Sequence, residues 1–244
     1  MMAASRGGGM KNRLPDYIDV ECVKPGAKIK DLTNRVPEYV PMCIRPKRTT
    51  HVYAMAGIND VTERLESENF EYNYREVIFV EDPELVADRV CEDLEALGRA
   101  IKIRGAMPVF ATITSANISK YNKSELDAGH TSFLYHSEHY ENMQTSLNAT
   151  IDLINERIKT KNRNNGVATP LCHNAIYRRR GRQTKYTVMD WARLRDGVHG
   201  TYATRSQWAR SLKAAMDTNT RADAENMLGS PERSWRSEKR QKTS

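Results

Sequence analysis

Hydrophobic positions recur along the chain with the spacing of helices in four segments. In each of them apolar side chains return every three or four residues, which places them on one face of a helix. The strongest example starts at Asp82, where Val86, Val90 and Leu94 begin a long apolar stripe. The pattern predicts helices over residues 27–39, 82–101, 138–158 and 201–216.

Between these segments the pattern changes to that of strands. Residues 17–23 alternate apolar and polar side chains, which is typical of a strand with one buried face. Residues 51–58 and 107–113 are almost continuously apolar, as central parallel strands are, and residues 166–176 predict a last strand that contains Pro170. Strands alternating with helices predict an α/β fold with a mostly parallel sheet between two layers of helices.

The ends of the chain lack both patterns. Residues 1–15 are rich in glycine and predict a disordered stub, residues 16–217 hold the predicted domain, and residues 218–244 predict a disordered basic tail. No run of 18 apolar residues is present and no apolar leader follows Met1, so we expect neither a membrane span nor a secretory signal. Four scattered cysteines favour a reducing, intracellular location, either cytoplasmic or nuclear.

Charge is distributed unevenly around a net value of +7. Residues 60–95 carry 13 acidic and 3 basic side chains, a net charge of −10, whereas residues 156–195 carry 2 acidic and 11 basic ones, a net charge of +9. The sequence allows one acidic and one basic face, or two ordinary solvated surfaces.

Three short motifs carry side chains that support acyl transfer. Gly57-Ile58-Asn59-Asp60 ends an apolar run, Pro25-Gly26 follows a predicted strand, and Asp196-Gly197-Val198-His199 precedes the last predicted helix. Reactive groups of parallel sheets gather at the carboxyl ends of the strands, so these segments are expected to share one crevice. There His199 would act as a general base held by Asp196, while the Asn59 amide and the Gly26 backbone N–H would stabilise an oxyanion.

These motifs resemble the signature blocks of the SGNH, or GDSL-like, hydrolases. Gly26 matches block II, Gly57-x-Asn59-Asp60 matches block III, and Asp196-x-x-His199 matches block V. The resemblance spans about residues 10–216. It implies a three-layer α/β/α sandwich with a flavodoxin-like sheet, hydrolysis of a small acyl ester, and no cofactor or metal.

Block I departs from the family pattern. The family places a first strand and then Gly-Asp-Ser, with the nucleophile, ahead of the block II glycine. Here the alignment places Gly9 at the serine position and Gly8 at the aspartate position, and residues 1–6 are too short and too polar for a buried strand. The first strand is therefore expected to be missing or degenerate. The chain is predicted to be a truncated or catalytically impaired hydrolase, because a pseudoenzyme of this kind has no covalent route without the serine.

A basic segment supports an alternative of another class. Five cations lie close together between Tyr177 and Tyr186, and such clusters bind polyanions or single-stranded nucleic acids. The alternative hypothesis is a non-catalytic module that binds a polyanion through Arg178, Arg179, Arg180, Arg182 and Lys185. Three histidines, His130, His136 and His139, are expected to be exposed side chains and no metal ligands.

Overall fold

A parallel sheet of four strands lies at the centre of the protein, with the strand order β2-β1-β3-β6. The structure is a computed structural model that describes residues 1–46, 48–66, 75–79, 81–129, 139–179 and 187–228. The central strands are β1 (Met2–Ala3), β2 (Cys22–Val23), β3 (His51–Met55) and β6 (Met107–Phe110). Two antiparallel pairs stand apart from this sheet: β4 (Glu63–Glu66) with β5 (Arg75–Ile78), and β7 (Tyr177–Arg179) with β8 (Thr187–Met189).

Seven helices occur in the described part of the chain, and four of them begin within two residues of a predicted start. They are α1 (Met10–Arg13), α2 (Ile29–Tyr39), α3 (Ile58–Val61), α4 (Pro83–Ile103), α5 (Ile118–Asp127), α6 (His139–Asn164) and α7 (Tyr202–Leu228). Asp82 starts α4 by accepting hydrogen bonds from the backbone N–H groups of Glu84 and Leu85. Short 3-10 turns span Ser5–Gly7, Pro41–Cys43, Cys172–Ile176 and Trp191–Arg193.

The sheet separates two hydrophobic cores, as the alternation of strand side chains requires. On one face Met2, Ala54 and Phe110 pack against α2, α4 and α6. On the other face Ala3 and Tyr53 pack with their neighbours against α1 and α7, whose Trp208 is fully buried. The prediction of a three-layer α/β/α sandwich with a mostly parallel sheet is confirmed.

The first strand, expected to be missing or degenerate, is present in a two-residue form. Met2 pairs with Cys22 and Ala54, so β1 occupies the centre of the sheet. Residues 1–15 therefore do not form the predicted disordered stub: Met10 and Leu14 are buried, and Ala3 is fully inaccessible. The short strand is hydrogen-bonded on both sides: the Lys24 N–H donates to the Ala3 carbonyl at 3.1 Å, and the Ala4 N–H donates to the Met55 carbonyl at 3.2 Å.

Two predicted elements differ from the structure near the carboxyl end. Residues 166–176 do not form a strand, because Pro170 lacks an N–H to donate and Cys172–Ile176 turns into a 3-10 helix. The last helix continues to Leu228, well into the predicted disordered tail. Asn219 anchors this extension by accepting a hydrogen bond from the Ala168 N–H and donating one to the Tyr53 hydroxyl. Residues 229–244 lie outside the described residues.

The acidic and basic segments meet along the seam between α4 and α6. Arg157 of α6 pairs with Asp88 of α4, and Lys161 pairs with Glu95 at 3.0 Å. Part of the charge that the sequence assigns to two surfaces is therefore paired between adjacent helices.

Candidate active site

Backbone hydrogen bonds continue between the chain segments just past the carboxyl ends of β1, β2 and β3. The Ala4 N–H donates to the Met55 carbonyl at 3.2 Å, and the Lys24 N–H donates to the Ala3 carbonyl at 3.1 Å. The segments that leave this edge are those of Ser5, Gly26 and Gly57.

Ser5, and not Gly9, is the residue that follows the first strand closely. It begins the turn Ser5–Gly7, which is closed by a 3.0 Å hydrogen bond from the Gly7 N–H to the Ala4 carbonyl. Gly9 instead precedes α1 in a left-handed conformation with φ of 76°. The position after the central strand thus holds a serine. The sequence alignment set this residue aside, because residues 1–6 look too short and too polar for a buried strand and nothing around Ser5 resembles the turn that carries the nucleophile.

The two predicted oxyanion donors belong to segments that touch. The Asn59 Nδ2 donates to the carbonyl of Ala27, next to Gly26, at 3.0 Å. Gly26 has a φ of +70°, and a Cβ added there would meet nothing within 4 Å, so the space in front of its backbone is open. An amide NH₂ has two N–H donors, so Asn59 keeps one for another acceptor.

The block III loop also fixes the start of α2. Asp60 accepts a hydrogen bond from the backbone N–H of Ile29 at 2.9 Å, so one carboxylate oxygen caps that helix. Burial raises the pKa of Asp60 to about 6. Gly57 has a φ of +121°, and a Cβ there would lie 2.3 Å from the Ile113 side chain. This position therefore requires glycine for both conformation and space.

Asp196 and His199 form a hydrogen-bonded pair. The His199 Nδ1 lies 2.7 Å from the Asp196 Oδ2, while the Asp196 Oδ1 accepts from the backbone N–H groups of Val198 at 3.0 Å and His199 at 2.6 Å. Partial burial opposes ionisation of Asp196, but the hydrogen bonds from the ring and backbone of His199 outweigh it and hold its pKa well below the ordinary value. The carboxylate is therefore ionised at neutral pH and fixes the imidazole with Nε2 directed away from it.

The loop that carries this pair rests on the start of α5. The Asn117 N–H donates to the Gly197 carbonyl at 2.8 Å. The Lys120 ammonium donates to the carbonyls of Trp191 at 3.1 Å and Leu194 at 2.5 Å. Sequence reasoning missed these supports, since an asparagine and a lysine in a polar segment give no signal of their own.

Arg6 links the Ser5 turn to the same region. Its guanidinium is buried and donates to the carbonyls of Thr114 and Ser115, which follow β6. Thr114 and Ser115 lead directly to Asn117, the residue that holds the Asp196 loop. The Ser5 turn is thereby linked to the loop of Asp196 and His199, while the segments of Asn59 and Gly26 contact each other.

Comparison with solved structures identifies the fold. A GDSL-like lipase from Bacteroides thetaiotaomicron is 15% identical, with a TM-score of 0.55 over 89% of this chain and 86% of that chain. The chain has the fold of the SGNH hydrolases. A Bacteroides fragilis protein assigned as an acylhydrolase gives 16% identity and a TM-score of 0.55 over 90% and 86% of the two chains.

A Slackia heliotrinireducens protein assigned as an SGNH hydrolase is 13% identical to this chain, with a TM-score of 0.51 over 88% of this chain and 96% of that one. At these identities the likeness establishes the SGNH fold and leaves the chemistry to the site itself. No protein-family profile and no curated protein matches the sequence.

Most of the predicted basic segment lies outside the described residues. The Arg178 side chain is exposed and lies 3.8 Å from the Asp190 carboxylate, and the Arg179 backbone belongs to β7. Arg180, Arg182 and Lys185 are not among the described residues, nor are His130, His136 and the side chain of His139. Within the described ranges, no group of three acidic, histidine or cysteine side chains is arranged to hold a metal ion.

Two cavities of the SGNH domain lie away from the Asp196–His199 pair. One of about 800 Å³ follows the groove between α4 and α6 and includes Cys91 and Gly98. The other, of about 640 Å³, lies at the opposite edge of the sheet, near His51 and Asp223. Neither cavity is lined by Asp196 or His199, so we assign the site from the hydrogen-bonded geometry of that pair and not from cavity volume.

The helices of the described residues can be compared with the requirements of a membrane span. None of their helices combines the length and the apolar character that crossing a bilayer demands.

Proposed function

We propose that this protein is an acyl-ester hydrolase of the SGNH type, with Ser5 as the nucleophile. The observation that carries the proposal is the position of Ser5, which begins the turn after the central strand β1. The Arg6 contacts tie this turn to the segment that holds Asp196 and His199. The earlier argument for impairment rested on Gly9 occupying the serine position, and Gly9 instead precedes α1.

The proposed reaction gives each of the assembled groups a role. The Ser5 hydroxyl attacks the ester carbonyl, and its proton passes to the Nε2 atom of His199. Asp196 keeps the imidazole in the required tautomer and stabilises the imidazolium. The backbone N–H of Gly26 and the free N–H of Asn59 donate to the oxyanion, and His199 returns the proton to the leaving alcohol. Water activated by His199 then attacks the acyl group and releases Ser5.

Hydrolysis of p-nitrophenyl acetate, with a fluorophosphonate probe, tests this assignment. We expect measurable turnover in the wild type, labelling of Ser5 by the probe, and loss of both in Ser5→Ala. Ser211→Ala, a serine substitution on α7, serves as the matched control and should keep wild-type turnover. His199→Ala should abolish turnover, because it removes the proposed general base.

Two outcomes would contradict the proposal. Turnover that survives Ser5→Ala would show that another group carries the reaction. A folded wild-type protein with neither turnover nor labelling would instead support the catalytically impaired form, in which the SGNH scaffold is kept without its chemistry.

Polyanion binding through Arg178, Arg179, Arg180, Arg182 and Lys185 stays a prediction. It requires affinity that falls steeply with salt, since each neutralised phosphate releases counterions. Filter binding of a single-stranded oligonucleotide at low and moderate salt checks this. A shallow dependence on salt, or affinity unchanged in Arg178→Ala, Arg179→Ala and Arg180→Ala combined, would remove this alternative.

A further inference from the structure

Arg6 is a buried cation at the centre of the candidate active site. Its side chain belongs to a residue only 6% exposed, and burying a guanidinium is costly unless partners compensate for lost water. Two nitrogens of the guanidinium donate to the adjacent carbonyls of Thr114 and Ser115, the second at 3.4 Å. Only the planar fork of arginine presents two donors to consecutive carbonyls in this way.

The positive charge of Arg6 has no carboxylate in direct contact among the described residues. The Arg6 Nε has no hydrogen-bond partner within the same part of the chain. Burial lowers the pKa of Arg6 to about 10. The negative charge of the Asp196 carboxylate acts in the opposite direction and favours the charged guanidinium. The cation next to Ser5 and the anion that holds His199 therefore stabilise each other's charged forms.

The contacts of Arg6 also form a mechanical link between the two halves of the site. On one side Arg6 follows Ser5 within a single tight turn. On the other side, its acceptors Thr114 and Ser115 lie just before Asn117, whose N–H holds the Gly197 carbonyl. Any displacement of this guanidinium moves the nucleophile turn relative to the Asp196–His199 pair.

We propose that Arg6 is a positioning residue that couples the Ser5 turn to the Asp196–His199 pair through its two carbonyl contacts with Thr114 and Ser115. This inference rests on the proposed function. It assigns to Arg6 no contact with substrate; removal of its side chain should lower kcat and leave KM nearly unchanged, because only the geometry of the reacting groups is affected.

Arg6→Met and Arg6→Lys test the proposal on the full chain. We expect kcat for p-nitrophenyl acetate to fall by about 10- to 100-fold in Arg6→Met, with KM within about two-fold of the wild type. Arg6→Lys, which keeps the charge but not the fork, should lose less. Arg99→Met, the same substitution at an exposed arginine of α4, is the matched control and should change neither constant.

A double-mutant cycle with Asp196→Asn separates coupling from general damage. If Arg6 acts through Asp196, Arg6→Met should cost less than about three-fold in kcat on the Asp196→Asn background. An equal loss on both backgrounds, or wild-type kcat in folded Arg6→Met, would overturn the proposal. If Arg6→Met fails to fold, Arg6→Lys decides, and wild-type kcat in that variant overturns it.

A spectroscopic measurement keeps this test separate from that of the proposed function. With its proton on Nδ1, the 2.7 Å hydrogen bond between His199 and Asp196 gives a low-field proton NMR signal that needs no turnover. The chemical shift of this signal should change in Arg6→Met and stay at the wild-type value in Arg99→Met. An unchanged signal refutes the coupling even in an inactive protein, whereas absent turnover in the wild type refutes only the hydrolase assignment.

Discussion

Two buried asparagines of α6 seal the free edge of the central sheet. The Asn162 side chain accepts from the Phe110 N–H at 3.1 Å and donates to the Phe110 carbonyl at 2.7 Å. Asn155 lies two helical turns earlier and makes the same pair of contacts with Ile113. Its side chain accepts from the Ile113 N–H at 2.6 Å and donates to the Ile113 carbonyl at 2.9 Å. Each amide thus replaces the hydrogen bonds that a further strand would supply to β6.

Asn162→Leu keeps the number and branching of the side-chain heavy atoms. It removes both hydrogen bonds to Phe110 and a third, from Nδ2 to the Thr169 hydroxyl at 3.1 Å. It leaves the N–H and the carbonyl of Phe110 buried without partners, and each such group costs about 1–3 kcal/mol. The added apolar surface of leucine offsets about 1–2 kcal/mol of this. We therefore expect the free energy of unfolding to fall by about 2–4 kcal/mol, a lowering of Tm by roughly 5–15 °C at this chain length.

Urea unfolding followed by circular dichroism measures the change. The midpoint should fall while the slope with denaturant stays constant, since the folded state keeps its area. Asn164→Leu, at an exposed position of the same helix, is the matched control and should change the free energy by less than about 0.5 kcal/mol. Equal midpoints for the two variants would refute the argument that these amides satisfy the sheet edge.

Two further substitutions test the loops of the site. Burial raises the pKa of Asp60 in the folded protein to about 6, above the value of an unfolded chain. The folded state therefore binds the proton more tightly, and this contribution to stability is complete below about pH 4 and is lost as the pH rises through 6. Relative to wild type, Asp60→Asn should gain about 3 kcal/mol in unfolding free energy between pH 4 and pH 7.5; a pH-independent difference would contradict this. In Gly197→Ala, the new Cβ would lie 2.5 Å from the Asn117 carbonyl oxygen at a φ of +87°, so we expect a loss of about 2–4 kcal/mol in urea unfolding. Gly166→Ala, with a φ of +70° and open space, should lose only about 1 kcal/mol; equal losses would show that packing of the loop is unimportant.

Helices with a long apolar stripe could be predicted from sequence, because burial of one face dictates their spacing. The ends of α6 and α7 could not, since buried polar side chains hold them. Asn162 and Asn219 break the apolar pattern while making the contacts that extend each helix. Hydrophobic periodicity has no means of distinguishing such an asparagine from an exposed one.

The first strand escaped prediction for a different reason. Two residues are too few to show a period, and β1 depends on hydrogen bonds from neighbours that the sequence does not place beside it. The sequence alignment placed Gly9 at the serine position of block I, whereas in the structure Gly9 precedes α1 and Ser5 begins the turn after β1.

The candidate site was partly predictable. Asp196 and His199 form the expected pair, and the segments of Gly26 and Asn59 touch as proposed, since each motif is local and follows a strand or precedes a helix. Arg6 and Lys120 were not predictable, because their carbonyl partners lie more than 70 residues away. Supports of this kind exist only after the sheet has formed.

The pairing of α4 with α6 changes what distant molecules experience. Arg157 and Lys161 already face Asp88 and Glu95, so their fields largely cancel within a few ångströms of the seam. An approaching polyanion would therefore be attracted by two fewer cations than the 11 in residues 156–195. Any long-range steering by this protein has to come from the basic side chains outside the helix pair, and screening by salt should weaken that attraction without loosening the seam's closest contacts.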